Sequence, residues 1–212
     1  MPDLNEAWAR TVRAAGATAD DQDVAGAGAA LLARWHEEHR HYHDAEHLAE
    51  VLTAVDELAP GSTADVEVVR LAAWFHDAVY EGRPGDDEER SATLAREVLT
   101  GLGVPEPRAD RVADLVRITL HHEPAPGDAE GALLCDADLA VLAAGPERYT
   151  RYVSAVRQEY AHVPEPMFRS GRATVLKALE AMPRLYRTPA GRERWESAAR
   201  ANLARELAEL EV

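Results

Sequence analysis

Apolar residues recur along this chain at the three- and four-residue spacing of helices, and strand-like alternation is hard to find. Residues 3–15 carry Leu4, Trp8 and Val12 at i, i+4 and i+8, which predicts a short amphipathic helix. Asp20 or Asp21 is placed to cap a second helix running to about Trp35. Gly26 and Gly28 lie inside it. They complete no G-x-G-x-x-G and follow no strand, so they read as positions of close helix packing rather than a dinucleotide loop. The next helix carries His47, continues through Leu48, Val51, Leu52 and Val55 to Ala59, and stops at Pro60-Gly61. Thr63 or Asp65 opens a helix that carries His76-Asp77 and is ended by Gly82, Pro84 and Gly85.

The acidic run DDEERSA (86–92) opens a helix to about Leu102, and Pro105 starts one that ends in TLHH (119–122). A Pro/Gly loop (123–131) precedes the apolar run ALLCDADLAVLAA (132–144). Pro146 begins a helix with Tyr149, Tyr152, Val153, Val156 and Tyr160. A further helix reaches Met182, a turn spans Pro183–Gly191, and a last helix runs to about Leu210. Nine or ten helices without a repeat or a long linker predict a single all-α domain over residues 1–212, with a helical C-terminal extension after about residue 145.

Composition narrows the function. The 23 basic and 38 acidic residues leave a net charge of −15, a poor match to nucleic acid, whose binding rests on phosphate contacts. From Gly145 to Arg192 the balance reverses, with nine basic residues against four acidic ones. That stretch is either a solvated helix face or a wall that binds phosphate through arginine forks. Cys135 is the only cysteine, so no disulfide framework or cysteine-based zinc site can form within the chain. No apolar run approaches the ~18 residues of a membrane span, and the N-terminus lacks a signal-peptide pattern. The expected setting is the cytoplasm, away from membranes, and self-association is left open. There is no Walker A motif, and Lys177 is the only lysine.

Three apolar helical stretches carry residues that a core would not choose: His47, the pair His76-Asp77, and Asp138. Two imidazoles and two carboxylates suit a divalent ion such as Mn, Fe, Co, Ni, Mg or Zn, with positions left for water and substrate. His43 competes with His47, since i and i+4 share a helix face, and Asp136 competes with Asp138. His43-Asp44-Ala45-Glu46-His47 also fits H-x-x-E-H, the pattern of a zinc peptidase, though it accounts for neither His76-Asp77 nor Asp138.

The order H…HD…D over helices resembles the HD-domain superfamily of metal-dependent phosphohydrolases. RHYHDAEHL (40–48), FHDAVYEG (75–82), DDEERSA (86–92), ITLHH (118–122) and CDADLAVL (135–142) look like successive motifs of its small predicted hydrolases. YTRYVSAVRQEYAHV (149–163) and FRSGRATVL (168–176) extend the likeness to about residues 30–210. The resemblance implies an HD-domain-like helical bundle, its core at about 30–145 and its extension at 146–212. It implies the metal ligands His47, His76, Asp77 and Asp138, with Ala137-Asp138-Leu139 matching the superfamily's "AD" and apolar residue. Asp77 would also align a water, and Glu88 would position or deprotonate it, unless Glu88 only decorates a helix dipole. Some members hold a second metal, to which His43, His122 and Asp136 would contribute, though a single ion is the expectation for this chain. Arg157, Arg169 and Arg172 would clamp phosphate. The implied reaction is hydrolysis of a phosphate ester of a nucleotide or other small phosphorylated metabolite. The alternative within the same fold is nucleotide binding or protein interaction without turnover.

Overall fold

Aspartates start five of the helices. In the computed structural model, which describes residues 3–210, Asp3, Asp20, Asp44, Asp65 and Asp128 each accept hydrogen bonds from backbone N–H groups of the first turn that follows. Each such cap is worth about 1 kcal/mol. The helices so begun are α1 (Leu4–Ala14), α2 (Asp21–Trp35), α3 (Ala45–Leu58), α4 (Val66–Phe75) and α7 (Ala129–Asp138). Between and after them come α5 (Asp86–Gly101), α6 (Glu106–Ile118), α8 (Pro146–Glu159), α9 (Glu165–Ala181) and α10 (Pro189–Leu210). A 3-10 segment, Leu139–Ala143, follows α7 directly, and no strand occurs among the described residues. The fold is all-α.

Several ends differ from the sequence expectation. α4 stops at Phe75, so His76-Asp77 lies in the turn beyond it rather than inside a helix. The turn is held from outside: the Arg40 guanidinium donates to the carbonyls of Asp77 and Ala78, at 2.7 and 3.3 Å. Likewise α6 ends at Ile118, and TLHH forms the turn that follows. The apolar run 132–144 divides between α7 and the 3-10 segment, and α10 begins at Pro189, inside the expected turn.

Helices α1 to α7 close around a core that buries Trp8, Trp35, Trp74 and Phe75, with Trp8 edge-on to Trp74 at 5.4 Å. The 3-10 segment and α8 to α10 enclose a second apolar cluster, including Tyr149, Tyr152, Leu176, Tyr186 and Leu203. Tyr42, just ahead of α3, belongs to this second cluster, and Trp195 of α10 packs against both.

The two glycines of α2 separate here. A Cβ on Gly28 would collide with the Trp8 ring, whose Nε1 donates to the Val24 carbonyl at 2.8 Å. A Cβ on Gly26 would meet nothing within 4 Å. Gly28→Ala is therefore expected to cost about 1–3 kcal/mol through overpacking. Gly26→Ala should be neutral or stabilising by up to about 1 kcal/mol. Denaturant midpoints of the two variants check this, and equal effects would refute the assignment of Gly28 as the contact position.

Candidate metal centre

His47 sits in the first turn of α3, where the Asp44 cap takes its backbone N–H at 3.2 Å and so fixes the turn. His76 is the residue at which α4 ends, and its Nδ1 lies 2.9 Å from the Ala73 carbonyl. A proton on Nδ1 satisfies that carbonyl and leaves the Nε2 lone pair pointing away from the helix, as a metal-binding imidazole requires. The two Nε2 atoms lie 3.1 Å apart, and both rings are buried. Asp138, the last residue of α7, places Oδ1 3.2 Å from His47 Nε2 and 3.4 Å from His76 Nε2. Asp77 places Oδ2 3.0 Å from His76 Nε2 and 3.8 Å from His47 Nε2.

This donor set fits a divalent ion. Ligands about 2.1 Å from one ion stand roughly 3.0–3.4 Å apart at adjacent positions, the separations seen among most of these atoms. Among the described residues, the ion-pair partners of Asp77 and Asp138 are histidines, and no lysine or arginine neutralises either carboxylate. His47, His76 and Asp138 offer atoms all within 4.8 Å of one another. Burial pushes the Asp138 carboxyl up, but His76 and hydrogen bonds from His122 and His47 outweigh it and hold the group well below the usual range. Burial opposes ionisation of Asp77 as well, and His76 reverses that. Burial also disfavours the His76 imidazolium, yet Asp77 and Asp138 raise its pKa well above the ordinary value. The two carboxylates thus draw a positive charge to the His76 ring, a charge that a bound divalent ion would supply in its place.

His122 faces the second oxygen of Asp138, with Nε2 2.8 Å from Oδ2, and so orients that carboxylate. It is the one non-glycine residue with positive φ, 53°, among the described residues. Holding it there costs about 1–2 kcal/mol. His122→Ala is expected to weaken metal affinity about 10- to 100-fold while leaving all four donors in place. Competition with a fluorescent chelator measures it, and unchanged affinity would contradict an orienting role.

The other residues singled out in the sequence are placed as follows. His43 precedes α3, so it does not share a helix face with His47; its Nδ1 is 2.7 Å from Glu159 Oε2, and its ring stacks on Tyr80. Asp136 turns away from the cluster and accepts the backbone N–H groups of Arg187 and Thr188, at 2.6 and 2.7 Å. Glu88 lines the adjoining cavity, but its Oε2 takes the Gly85 N–H at 2.5 Å in a capping box. Arg157 is spent on Glu165 and two backbone carbonyls, and Arg169 on the carbonyls of Glu209 and Leu210. Neither lines the cavity. Arg172 does, yet its guanidinium is held by Glu206 and by the Tyr152 hydroxyl. The H-x-x-E-H arrangement does not assemble, because Glu46 is exposed and lines a separate groove with Glu50 and Glu57. Cys135 is a buried core residue.

Two residues not anticipated hold the site together. Arg40 is buried and ties the His43 carbonyl to those of Asp77 and Ala78, joining the segment before α3 to the turn after α4. Glu159, the last residue of α8, accepts the backbone N–H groups of His41, Tyr42 and His43, each at 2.8–2.9 Å, and the Tyr80 hydroxyl at 3.0 Å.

The cluster opens on a cavity of about 1250 Å³ whose wall includes His43, Asp77, His122 and Asp138. No helix among the described residues is long and apolar enough to cross a membrane. No curated protein and no solved structure matches the chain. A family model described as the HD domain matches residues 44–153, just over half of the chain. That span contains all four converging donors, and the helices that carry them are the all-α framework described above. The chain belongs to the HD-domain family.

Proposed function

We propose that this protein is a metal-dependent phosphohydrolase that cleaves the phosphate ester of a nucleotide or another small phosphorylated metabolite. The observation that carries the reading is the cluster of His47, His76 and Asp138, with Asp77 3.0 Å from His76 beside it and, among the described residues, no lysine or arginine paired to either carboxylate, at the wall of a cavity. A divalent ion held there would lower the pKa of water to about 7 and draw charge from a phosphoryl oxygen. His47 and His76 would hold it through Nε2, and His122 keeps Asp138 in register. Asp77 commits Oδ2 to the cluster and lines the cavity, where its carboxylate would align the attacking water. Glu88 positions that water only by giving up its bond to Gly85. Tyr42, Tyr80, Tyr152 and Tyr160 bring aromatic surface to the cavity, suited to a nucleobase or another flat organic group. With a net charge of −15 the substrate is a small molecule rather than a nucleic acid polymer.

The test is a panel of phosphorylated metabolites offered to chelator-stripped protein reloaded with Mn, Fe, Co, Ni, Mg or Zn. Phosphate release is expected with at least one ion, abolished by chelator and by Asp77→Ala. Release indifferent to both would overturn the mechanism. Binding of metal and nucleotide without release would favour a non-catalytic member of the family.

A further inference from the structure

Substrate anions need a cation in the wall, and the arginines nearest in sequence to that task are occupied. Arg187 is not. It lies in the segment between α9 and α10 and lines the same cavity as Asp77, Asp138 and His122. Its Nε is buried and has no hydrogen-bond partner, one of three such side-chain atoms among the described residues. A buried N–H donor without an acceptor is rare and calls for an explanation.

The mounting of this residue is unusually firm. The backbone N–H groups of Leu185 and Tyr186 go to the Glu196 carboxylate of α10. Those of Arg187 and Thr188 go to Asp136 of α7. The Tyr186 hydroxyl donates to the Leu139 carbonyl at 2.9 Å. Asp136 is two residues from Asp138, so one helix end fixes both a proposed metal ligand and the base of the arginine. The backbone is anchored while the guanidinium makes no hydrogen bond among the described residues, its charge acting on Asp136 only at longer range, which is the division of labour expected of a binding residue.

We propose that Arg187 is the substrate-anion-binding residue of this cavity, receiving phosphoryl oxygens through its guanidinium fork. The choice of phosphate as the anion rests on the reading given under Proposed function; the existence of an anion site does not. Arg83 also lines the cavity, but its side chain is largely exposed and shares Glu81 at 3.4 Å.

Calorimetric titration of inorganic phosphate into the full chain, metal-free and Mn-loaded, tests the assignment. Arg187→Gln is expected to lower phosphate affinity about 10- to 100-fold, as for loss of a charge-assisted pair. Arg187→Lys should fall between, and Arg184→Gln, an exposed charge three residues away, should stay within about twofold. Phosphate should also slow phenylglyoxal labelling of Arg187 in the wild-type chain, a readout that needs no variant to fold. Wild-type affinity in Arg187→Gln, or labelling of Arg187 that phosphate does not slow, would overturn the proposal. Arg187-dependent phosphate binding without turnover would keep the anion site and remove the hydrolase reading. Asp77-dependent turnover with phosphate binding indifferent to Arg187 would do the reverse.

Discussion

Asp138→Ala is expected to abolish metal-dependent hydrolysis, lowering turnover roughly a thousandfold or more, because an ion supplies several kcal/mol of transition-state stabilisation. The argument is geometric. Asp138 is the donor that both imidazoles approach, at 3.2 and 3.4 Å, and its second oxygen engages His122 at 2.8 Å. Without it, two Nε2 atoms 3.1 Å apart face each other with Asp77 as the remaining carboxylate. A second measurement separates binding from chemistry. An ion that binds the native state raises the melting temperature by mass action, about 2.7 kcal/mol at a hundredfold excess over Kd. That rise should vanish in Asp138→Ala. Asp136→Ala is the contrast: it frees two backbone N–H groups and should cost stability, yet the ion-dependent rise should persist. Persistence of the rise in Asp138→Ala would remove Asp138 from the set of ligands.

The contrast between those two aspartates also shows what a sequence can resolve. Residues i and i+2 on a helix lie about 200° apart, so Asp136 and Asp138 do not face one site together. Which of them faces it depends on where α3 and α4 pack against α7, and the family motif supplied that information where periodicity did not. His76-Asp77 and His47 stood out because they adjoin apolar helical runs, at the end of α4 and the start of α3, a local contrast that survives folding. The rivalry of His43 with His47 dissolves once Asp44 is seen to cap α3, since the helix starts at Ala45. Helix positions were legible for the same reason: aspartate caps, Pro/Gly stops and apolar spacing are all short-range. Partner choice among polar side chains is not. Nothing in RQEYAHV distinguishes Glu159 from a solvated helix glutamate, and its partners lie 116 to 118 residues earlier. The arginines teach the same lesson. Arg157 and Arg169 sit in a basic stretch, yet Arg157 folds onto carbonyls of the segment after α8 and Arg169 onto carbonyls at the end of α10. Arg187, in a turn with no motif, reaches the cavity.

Glu159→Ala should be among the most destabilising substitutions in the chain, at about 3–5 kcal/mol, because it leaves five donors, four of them partly buried, without their acceptor. Those donors are three successive N–H groups, the Tyr80 hydroxyl and His43, and the carboxylate side chain is only 2% exposed. Glu159→Gln keeps the shape and removes the charge, which makes the contribution readable through pH. Burial pushes the Glu159 carboxyl up, but the hydrogen bond and charge of His43 and the backbone N–H groups outweigh it and hold its pKa at about 2. A carboxyl depressed in the folded state stabilises fully above its ordinary pKa of about 4.3 and loses that contribution as pH falls toward 2, about 3 kcal/mol in all. His43 works with the opposite sign. Burial lowers its pKa, yet Glu159, Asp77 and Asp138 raise it overall, so its contribution is complete below the ordinary value of about 6.5 and fades as pH rises through the raised one. Urea denaturation at pH 6 and pH 3 should therefore show wild type losing more stability than Glu159→Gln, with the two curves converging in acid. Parallel losses in the two proteins would mean that Glu159 is not the group tying α8 to the loop before α3. If the curves converge as expected, one buried carboxylate contributes, beside the Arg148–Glu50 pair, to holding α8 against the candidate metal centre, and the His43 and Tyr80 wall of the cavity depends on it.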